Sequence, residues 1–413
     1  MDVRVVSGDI QEIVEIDDHH LYSYFSPDSS TPVQRWDDRR IIRAIENPVG
    51  TVPIGERVSS TSKVAVVVDD ATRQTPTGRV LRALLRILEA GDVAPENVTI
   101  TIGTGLHRGT TVEERRRILG QDVLDRFDVQ DNDARNSEQH SFLGTVEGAL
   151  PVYVNRRIVE ADLVITIGMV KSHAFAGFTG GAKSVIPGVS DQRTIYANHG
   201  FSNLEYPRGV LGSCDKSVSR LQMESAAKLI DPFIVNVVVN SEGEIVYTAA
   251  GDVIDAHRDA VAFYRASADR VAPELVDIAL VFGGHAGAIS LYHALFGCSA
   301  VRATEAPILK DKGTVIIYAE CREGLGTSIF SEFYSRFTGS EQILAYLAKS
   351  PVVDDQWAVQ FLATFLRDVN VTLVSNGLRR DELSLLGIDY YPTAKAALGA
   401  AIDYLTEIGR DQH

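Results

Sequence analysis

Three apolar runs rich in β-branched residues constrain the fold of this chain most. KVAVVVDD spans residues 63–70, NVTITIG spans 97–103 and ADLVITIG spans 161–168. The first of them is continuously apolar before its two carboxylates, which is typical of a strand buried on both faces of a parallel sheet. Between the first two runs, apolar residues recur at helical spacing over residues 80–88 and Gly91 follows them. This order predicts a βαβ unit.

An unusual loop follows each predicted strand. The loops are DDATRQTP at residues 69–76, a glycine-rich turn at 103–110, and a long stretch rich in glycine and proline at 171–189. After the second loop, Thr111 and Glu114 have the spacing of a capping box, which predicts a helix start. Ligands of open α/β sheets bind beyond the carboxyl ends of the strands. We therefore expect the functional site where these loops meet.

The rest of the chain predicts a second α/β domain. The first fifty residues indicate an edge hairpin followed by a linker at residues 26–32, and a turn at 240–243 joins two further strands. Pro273 precedes a new series of strands that includes GTVIIYAE and VNVTLVSNG. We predict two α/β domains with largely parallel sheets, over residues 1–272 and 273–413.

Charge and composition exclude several classes of protein. The 413 residues include 40 Lys and Arg against 55 Asp and Glu, a formal charge of −15. An acidic surface repels phosphate backbones, which argues against nucleic-acid binding. No apolar run reaches the roughly 18 residues of a membrane span, and the start resembles no secretory signal, so we expect a cytoplasmic protein without membrane contact. Cys214, Cys298 and Cys321 lack CxxC spacing and are expected to be buried, reduced thiols.

The segment GFTGGAKS at residues 177–184 is one substitution short of a phosphate-binding loop, since Ala182 replaces its second glycine. That loop requires a strand directly before it and a helix directly after it, whereas Pro187 interrupts the expected helix. We therefore disfavour a nucleoside triphosphatase. The segment still offers a glycine-rich backbone with amide donors, and Lys183 is either a ligand-binding lysine or a solvated surface charge.

Three further side chains are candidates for chemistry. Arg73 either grips a carboxylate or phosphate, or pairs with Asp69 or Asp70. His107 and His173 lie on separate predicted loops, where they could face a substrate from opposite sides as acid and base. Five other histidines fit other places: His199 a helix end, and His19, His20, His140 and His413 the surface. The residues alone indicate an anion-binding cleft with two histidines, one arginine and one lysine.

These motifs together resemble the lactate racemase family. The resemblance rests on DDATRQTP, GTGLHRGT, MVKSHAFAGFTGGAKSVIPGVSDQRTIYANH, SLYHALFG and DDQWAVQ, in order over nearly the whole chain. It implies two α/β domains with the active site in the cleft between them. It also implies a nickel pincer nucleotide, a pyridinium mononucleotide whose two sulfur-containing arms bind nickel, and cofactor-maturation enzymes as partners.

The resemblance assigns roles to individual residues. Lys183 would carry the cofactor covalently, with cofactor contacts from Thr72, Gly180 and Gly181, and His199 would bind the nickel, which suits the metal's preference for imidazole and sulfur. The implied catalytic acid/base pair is His107 and His173. The implied substrate contacts are Arg73, Asp70, Tyr292, His293, Phe296 and Trp357.

The implied reaction inverts C2 of a 2-hydroxy acid by reversible hydride transfer to the cofactor. This chain departs from the lactate enzyme where His293 replaces a glutamine and Phe296 replaces a lysine that contacts the carboxylate. We therefore predict a substrate larger or more apolar than lactate, unless Phe296 points into the core. The alternatives are a cofactor- or anion-binding homologue without efficient turnover and, since no strand precedes a GxGxxG motif, less well a nicotinamide dehydrogenase. A homo-oligomer is possible.

Overall fold

The computed structural model describes residues 1–18, 21, 23–25, 34–204, 210–282, 284–304 and 306–409. The chain divides into two compact units, which we name by their place in the sequence. The central unit comprises Ser26–His199 and Gly212–Asp269. The terminal unit comprises Met1–Phe25, Gly200–Leu211 and Arg270–His413.

The N-terminal hairpin belongs to the terminal unit. Strands β1 (Asp2–Ser7) and β2 (Ile10–Glu15) pair antiparallel, as the alternating sequence predicts. Val3, Val5 and Val14 on one face of this hairpin are buried in one core with residues from the C-terminal part of the chain. The predicted boundary at residue 272 lies near the break at Asp269, but the unit division differs from it because residues 1–25 and 200–211 group with the C-terminal part.

A six-stranded sheet forms the middle of the central unit. Its order is β12-β11-β8-β3-β4-β5, and only the edge strand β12 is antiparallel to its neighbour. Two short hairpins, β6 with β7 and β9 with β10, lie outside it. The strands are β3 (Val64–Asp69), β4 (Val98–Gly103), β5 (Asp128–Asp131), β6 (His140–Val146), β7 (Leu150–Asn155), β8 (Leu163–Met169), β9 (Ser172–His173), β10 (Gly177–Phe178), β11 (Phe233–Val239) and β12 (Ile245–Gly251).

The three predicted apolar strands are neighbours in this sheet. Val68 of β3 pairs with Ile102 of β4 on one side and with Ile167 of β8 on the other. All three side chains are buried, as expected for strands covered on both faces. The parallel register brings the carboxyl ends of the strands to one edge, so the loops that follow them start side by side.

Helices cover both faces of the central sheet. The predicted helix after β3 is present and ends at Gly91, and the Thr111–Glu114 capping box opens the next helix as predicted. The helices are α1 (Asp38–Glu46), α2 (Ile54–Arg57), α3 (Thr77–Ala90), α4 (Val112–Leu119), α5 (Gln121–Leu124), α6 (Arg156–Val159), α7 (Gln192–Asn198), α8 (Val218–Ala227) and α9 (Asp255–Ala268). Helix α1 was not predicted, and the predicted linker at 26–32 lies outside the described residues.

The terminal unit contains a four-stranded parallel sheet in the order β13-β14-β15-β16. The strands are β13 (Val276–Phe282), β14 (Leu309–Tyr318), β15 (Asn370–Val374) and β16 (Asp389–Tyr391). The helices are α10 (Gly284–Ile289), α11 (Leu291–Gly297), α12 (Ile329–Arg336), α13 (Ser340–Leu347), α14 (Gln356–Asp368), α15 (Arg380–Leu385) and α16 (Ala394–Glu407). The carboxylate of Glu12 accepts hydrogen bonds from the amides of Ala394 (2.7 Å) and Lys395 (3.0 Å) and thereby caps α16.

Two expectations about single residues need correction. His140 was expected at the surface but is 4% exposed, with its ring nitrogens bonded to Asn136 O and Asn132 Oδ1. All three cysteines are free thiols, but Cys214 is only partly buried. His19, His20 and His413 lie outside the described residues. Within the described ranges, no helix has both the length and the apolar character that crossing a membrane requires.

Candidate active site

The loop after β3 holds a carboxylate and an imidazole together. Asp70 Oδ1 accepts hydrogen bonds from Thr72 Oγ1 (2.6 Å) and Thr72 N (3.2 Å). Its other oxygen, Oδ2, lies 2.7 Å from Nδ1 of His107, which comes from the loop after β4. The sequence placed these residues on neighbouring strand ends, and the structure joins them directly.

The charge of Asp70 fixes which nitrogen of His107 is available. Burial raises the pKa of Asp70, but the hydrogen bond and charge of His107 together with Arg73 and Thr72 outweigh burial and lower this pKa to about 2. Asp70 is therefore ionised at neutral pH and accepts the Nδ1 proton of His107. The Nε2 atom of His107 is left to exchange a proton with a ligand.

Asp70→Asn is expected to lower the free energy of unfolding in a pH-dependent way. Because the pKa of Asp70 falls from 3.8 to about 2 on folding, its carboxylate stabilises the protein above pH 4, by about 2 kcal/mol. That contribution is lost as the pH drops from about 4 towards 2. Urea unfolding of the wild type and Asp70→Asn should therefore differ at pH 7 and converge near pH 2. Asp215→Asn, in an exposed ion pair with Arg258, is the control, and equal pH profiles for wild type and Asp70→Asn would contradict the expectation.

Arg73 is available for a ligand. Its guanidinium forms no ion pair with the residues that the structure describes, so pairing with Asp69 or Asp70 is not what it does there. Its charge nevertheless lowers the pKa values of Asp70, His173 and Lys183. The charge of Arg73 therefore acts both on Asp70, which contacts His107, and on the pair formed by His173 and Lys183.

Asp69 has a structural role that the sequence did not reveal. Its Oδ2 atom accepts hydrogen bonds from Thr75 Oγ1 (2.6 Å) and from the amide of Met169 (3.2 Å) at the end of β8. Burial raises the pKa of this carboxyl. Asp69 thus fastens the loop after β3 to the strand that leads into the third loop.

The hairpin of β9 and β10 fixes the ring of His173. Nδ1 accepts hydrogen bonds from the amides of Phe175 and Ala176, each at 3.2 Å. An atom that accepts two N–H groups carries no proton, so the proton of the neutral ring is on Nε2. Burial and then the charges of Lys183 and Arg73 hold the pKa of His173 well below its usual value.

Lys183 is not a solvated surface charge, which settles that alternative. Its Nζ atom lies 3.4 Å from Nε2 of His173. Burial, followed by the charges of Arg73 and Arg220, lowers the pKa of Lys183 to about 7. The amine and the imidazole therefore form one cluster.

Gly180 and Gly181 allow the backbone before Lys183 to pack closely. Both have positive φ angles, +75° and +56°. A Cβ at Gly180 would lie 2.8 Å from Asn236 Oδ1, and one at Gly181 would lie 2.7 Å from the ring of His257. The following segment, Gly181–Ser184, is a short 3₁₀ turn and not the α-helix that a phosphate-binding loop requires, which agrees with the prediction against a triphosphatase.

A buried cation that the sequence analysis missed holds this loop. Arg220 of α8 is 0% exposed and donates to the carbonyls of Ala176 (3.3 Å) and Phe178 (3.2 Å). It also donates to Glu224 (2.8 Å) and to Nδ1 of His257 (2.8 Å). The Nε2 atom of His257 in turn lies 2.9 Å from the carbonyl of Thr179 and donates to it. Hydrogen bonds from Arg220 and His257 therefore hold the backbone of the loop between His173 and Lys183 in place.

His199 is a neutral imidazole at the end of α7. It is 7% exposed, and burial and then the charge of Lys183 lower its pKa to about 3. A neutral imidazole is a good ligand for nickel. No group of three or more acidic, histidine or cysteine side chains suited to a metal occurs among the described residues.

The remaining predicted residues form a group within the terminal unit. Trp357 Nε1 of α14 donates to Tyr292 Oη of α11 (2.8 Å). The ring of Phe296 packs edge-on against Tyr292, with centroids 5.1 Å apart, and also contacts the buried Phe361 at 5.1 Å. His293 Nδ1 lies 2.8 Å from Ser290 Oγ. Phe296 is only partly buried, so it is not simply a core residue.

Comparison with known proteins identifies the family. Residues 8–209 match the lactate racemase N-terminal domain, and residues 276–411 match the lactate racemase C-terminal domain. The chain belongs to the lactate racemase family. Membership makes it an isomerase of the racemase type and agrees with the predicted two-domain α/β fold.

Named relatives of the family cover most of the chain. The lactate racemase of Thermoanaerobacterium thermosaccharolyticum is 30% identical over 365 residues, 87% of this chain and 83% of the relative. That of Lactiplantibacillus plantarum is 27% identical over 394 residues, 94% of this chain and 91% of the relative. The solved apoprotein from T. thermosaccharolyticum has a TM-score of 0.89 at 26% identity, covering 100% of this chain and 96% of that chain. A Thermotoga maritima protein, 20% identical over 86% of this chain and 92% of its own, has a TM-score of 0.69 and shares the fold.

Proposed function

We propose that the chain is a nickel pincer nucleotide-dependent racemase or epimerase of a 2-hydroxy acid whose side chain is larger or more apolar than that of lactate. The grouping of Asp70, His107, Arg73, His173 and Lys183 in the central unit carries this proposal. An anion anchor, two imidazoles and a reactive amine are what inversion on a tethered cofactor requires. Lys183 would hold the cofactor, with contacts from the Gly180–Gly181 backbone and Thr72, and His199 would bind the nickel.

The protein's own groups have complementary tasks. Arg73 binds the substrate carboxylate, because a guanidinium that forms no ion pair with the described residues can form bidentate hydrogen bonds. His107 offers Nε2 as a proton acceptor and is held by ionised Asp70. His173 offers an Nε2 proton, which becomes available to substrate once Lys183 is acylated. When bound, the cofactor supplies the acceptor for the hydrogen that leaves C2 with its electron pair.

The two imidazoles allow the substrate oxygen to exchange its proton on either side of the substrate. One ring removes the hydroxyl proton as the 2-oxo acid forms, and the other returns a proton after the carbonyl has presented its opposite face. The hydrogen bonds of the two rings support one acceptor, Nε2 of His107, and one donor, Nε2 of His173. Inversion at C2 then needs no proton from bulk solvent at the moment of transfer.

Aromatic residues of the terminal unit support the choice of substrate. Phe296 stands where the resemblance places a lysine, and Tyr292, Phe361 and Trp357 surround it with apolar surface. Loss of a charge-assisted hydrogen bond costs about 1.5–3 kcal/mol, which disfavours a substrate as small as lactate. An aromatic or long aliphatic side chain would instead gain contact area.

Phe296→Lys is expected to shift selectivity towards lactate by roughly tenfold or more in kcat/KM, because it restores a cation for the carboxylate. The wild type should invert bulky aliphatic or aromatic 2-hydroxy acids faster than lactate in a panel of single enantiomers. Phe337→Lys, outside this group, is the control. Equal or faster turnover of lactate by the wild type would refute the substrate assignment.

Co-expression with cofactor-maturation enzymes tests the function itself. We expect an intact mass that shows an adduct at Lys183, bound nickel, and inversion of at least one acid in a panel that includes sugar-derived acids. An unmodified Lys183 without nickel would refute the cofactor assignment. An adduct with nickel but no inversion of any acid would instead favour a binding protein that has lost turnover.

A further inference from the structure

The hydrogen bonds of His173 define the state of the Lys183 amine. Because the amides of Phe175 and Ala176 both donate to Nδ1, the ring proton lies on Nε2 and points along the 3.4 Å contact to Nζ. A charged Lys183 ammonium has only donor groups, so its N–H would face the N–H of His173 Nε2 without an acceptor. An uncharged amine accepts the proton of Nε2 as a hydrogen bond, so the geometry selects the nucleophilic form of Lys183.

The charges around Lys183 favour the same form. Arg73 and Arg220 repel a positive charge on Nζ, while Asp69 attracts it. His173, which contacts Nζ, is neutral and does not offset this repulsion. With burial as the largest cause, the pKa of Lys183 falls to about 7, so about half of the amine is uncharged at pH 7. An ordinary lysine of pKa about 10.4 is uncharged in only about 4 of 10,000 molecules at that pH.

Arg73 acts on this amine, and a second cation, Lys171, acts on its neighbour His173. The side chains of Arg73 and Lys171 form no ion pair with the described part of the chain. Lys171 precedes His173 by two residues in an extended hairpin, where alternate side chains point the same way, and its charge affects His173. The charge of Arg73 also acts on Lys171. Cations that form no direct ion pair and lie beside a nucleophile suit an electrophile with an anionic leaving group.

We propose that, before any cofactor is attached, Lys183 accepts acyl groups from small acyl phosphates. The Nζ lone pair attacks the carbonyl carbon, a C–N bond forms, and the C–O bond to phosphate breaks. Phosphate leaves with that electron pair beside Arg73 and Lys171, and the ammonium proton passes to solvent. The product is an amide, which removes the amine that the cofactor would use. This inference extends beyond the proposed function, because neither nickel nor cofactor takes part.

The test uses the cofactor-free full chain with acetyl phosphate at pH 7. Peptide mapping by mass spectrometry gives the acetylation rate at each lysine, with the exposed Lys63 and Lys228 as internal references. We expect Lys183 to react at least about 100-fold faster than either reference, with the ratio narrowing as the pH rises towards 10 and the references lose their protons. A rate at Lys183 within a few-fold of the references at pH 7 would overturn the proposal.

Two further measurements separate the parts of the argument. Arg73→Gln should slow acetylation of Lys183 by acetyl phosphate at least about tenfold. The rate of acetylation by p-nitrophenyl acetate, an uncharged acyl donor, should fall by a smaller factor. Equal losses with both donors would overturn the role of the cations. If Arg73→Gln does not fold, competition by inorganic phosphate in the wild type gives the same information. The proposed racemase could fail its own test while Lys183 is still acetylated selectively, so the two failures are distinguishable.

Discussion

His107→Gln is expected to reduce inversion about 10²- to 10⁴-fold, because it removes the group that exchanges the substrate's hydroxyl proton. Glutamine keeps a polar side chain of similar length, and the Asp70 carboxylate can still accept from its amide. The covalent adduct at Lys183 and the bound nickel should be unchanged, since His107 contacts neither Lys183 nor His199 through a hydrogen bond. Racemisation kinetics with each enantiomer, together with intact mass, measure both effects.

Arg108→Gln is the matched control, because Arg108 follows His107 directly and pairs with Glu114 at the surface. It should invert substrate at the parent rate. If His107→Gln and His173→Gln both keep the parent rate, the acid/base assignment is wrong. Loss of the adduct in His107→Gln would show that this residue acts in cofactor attachment instead.

Arg220→Leu is expected to lower the free energy of unfolding by about 3–5 kcal/mol, because removal of one partner leaves a buried carboxylate unpaired. Glu224 is 6% exposed and would keep its charge without the guanidinium 2.8 Å away. The carbonyls of Ala176 and Phe178 would lose their donor as well. Urea unfolding of the full chain measures the loss.

Arg265→Leu gives the control, since Arg265 and Asp269 have the same i,i+4 spacing but are each 54% exposed. Its effect should stay within about 0.5 kcal/mol. The double variant Arg220→Leu/Glu224→Leu should recover part of the lost stability, because it removes both buried charges. A loss below about 1 kcal/mol for Arg220→Leu alone would contradict the supporting role of this cluster.

The sheet of the central unit could be predicted from the sequence, because β3, β4 and β8 carry continuous β-branched runs that leave few alternatives. Helix α1 could not, since its apolar stripe consists of little more than Ile41 and Ile45 among charged residues. His140 was misassigned for a similar reason: its neighbours in the sequence are polar, but they and Asn132 form a buried hydrogen-bonded network. Local polarity does not distinguish exposure from internal pairing.

The candidate site could likewise be predicted only in part from the sequence. Strand order alone indicated that His107 and the Asp70 loop would start side by side, but the 2.7 Å contact depends on a turn geometry that spacing does not encode. Arg220 and His257 lie 37 residues apart on two helices and gave no motif. Each is a polar residue on the buried face of its own helix, Arg220 on α8 and His257 on α9, and helical spacing alone does not show that the two meet.

The cap that Glu12 forms on α16 has a consequence for biosynthesis. The acceptor and the amide of Ala394 are separated by 382 positions, so nearly the whole chain must leave the ribosome before this bond can form. Val3, Val5 and Val14, among the first apolar residues made, pack against residues that are translated much later, such as Ile316, Val374 and Ala394. The opening hairpin therefore exposes its apolar face to solvent through most of translation, and a chain that ends before residue 394 would lack the part of the cover that α16 supplies.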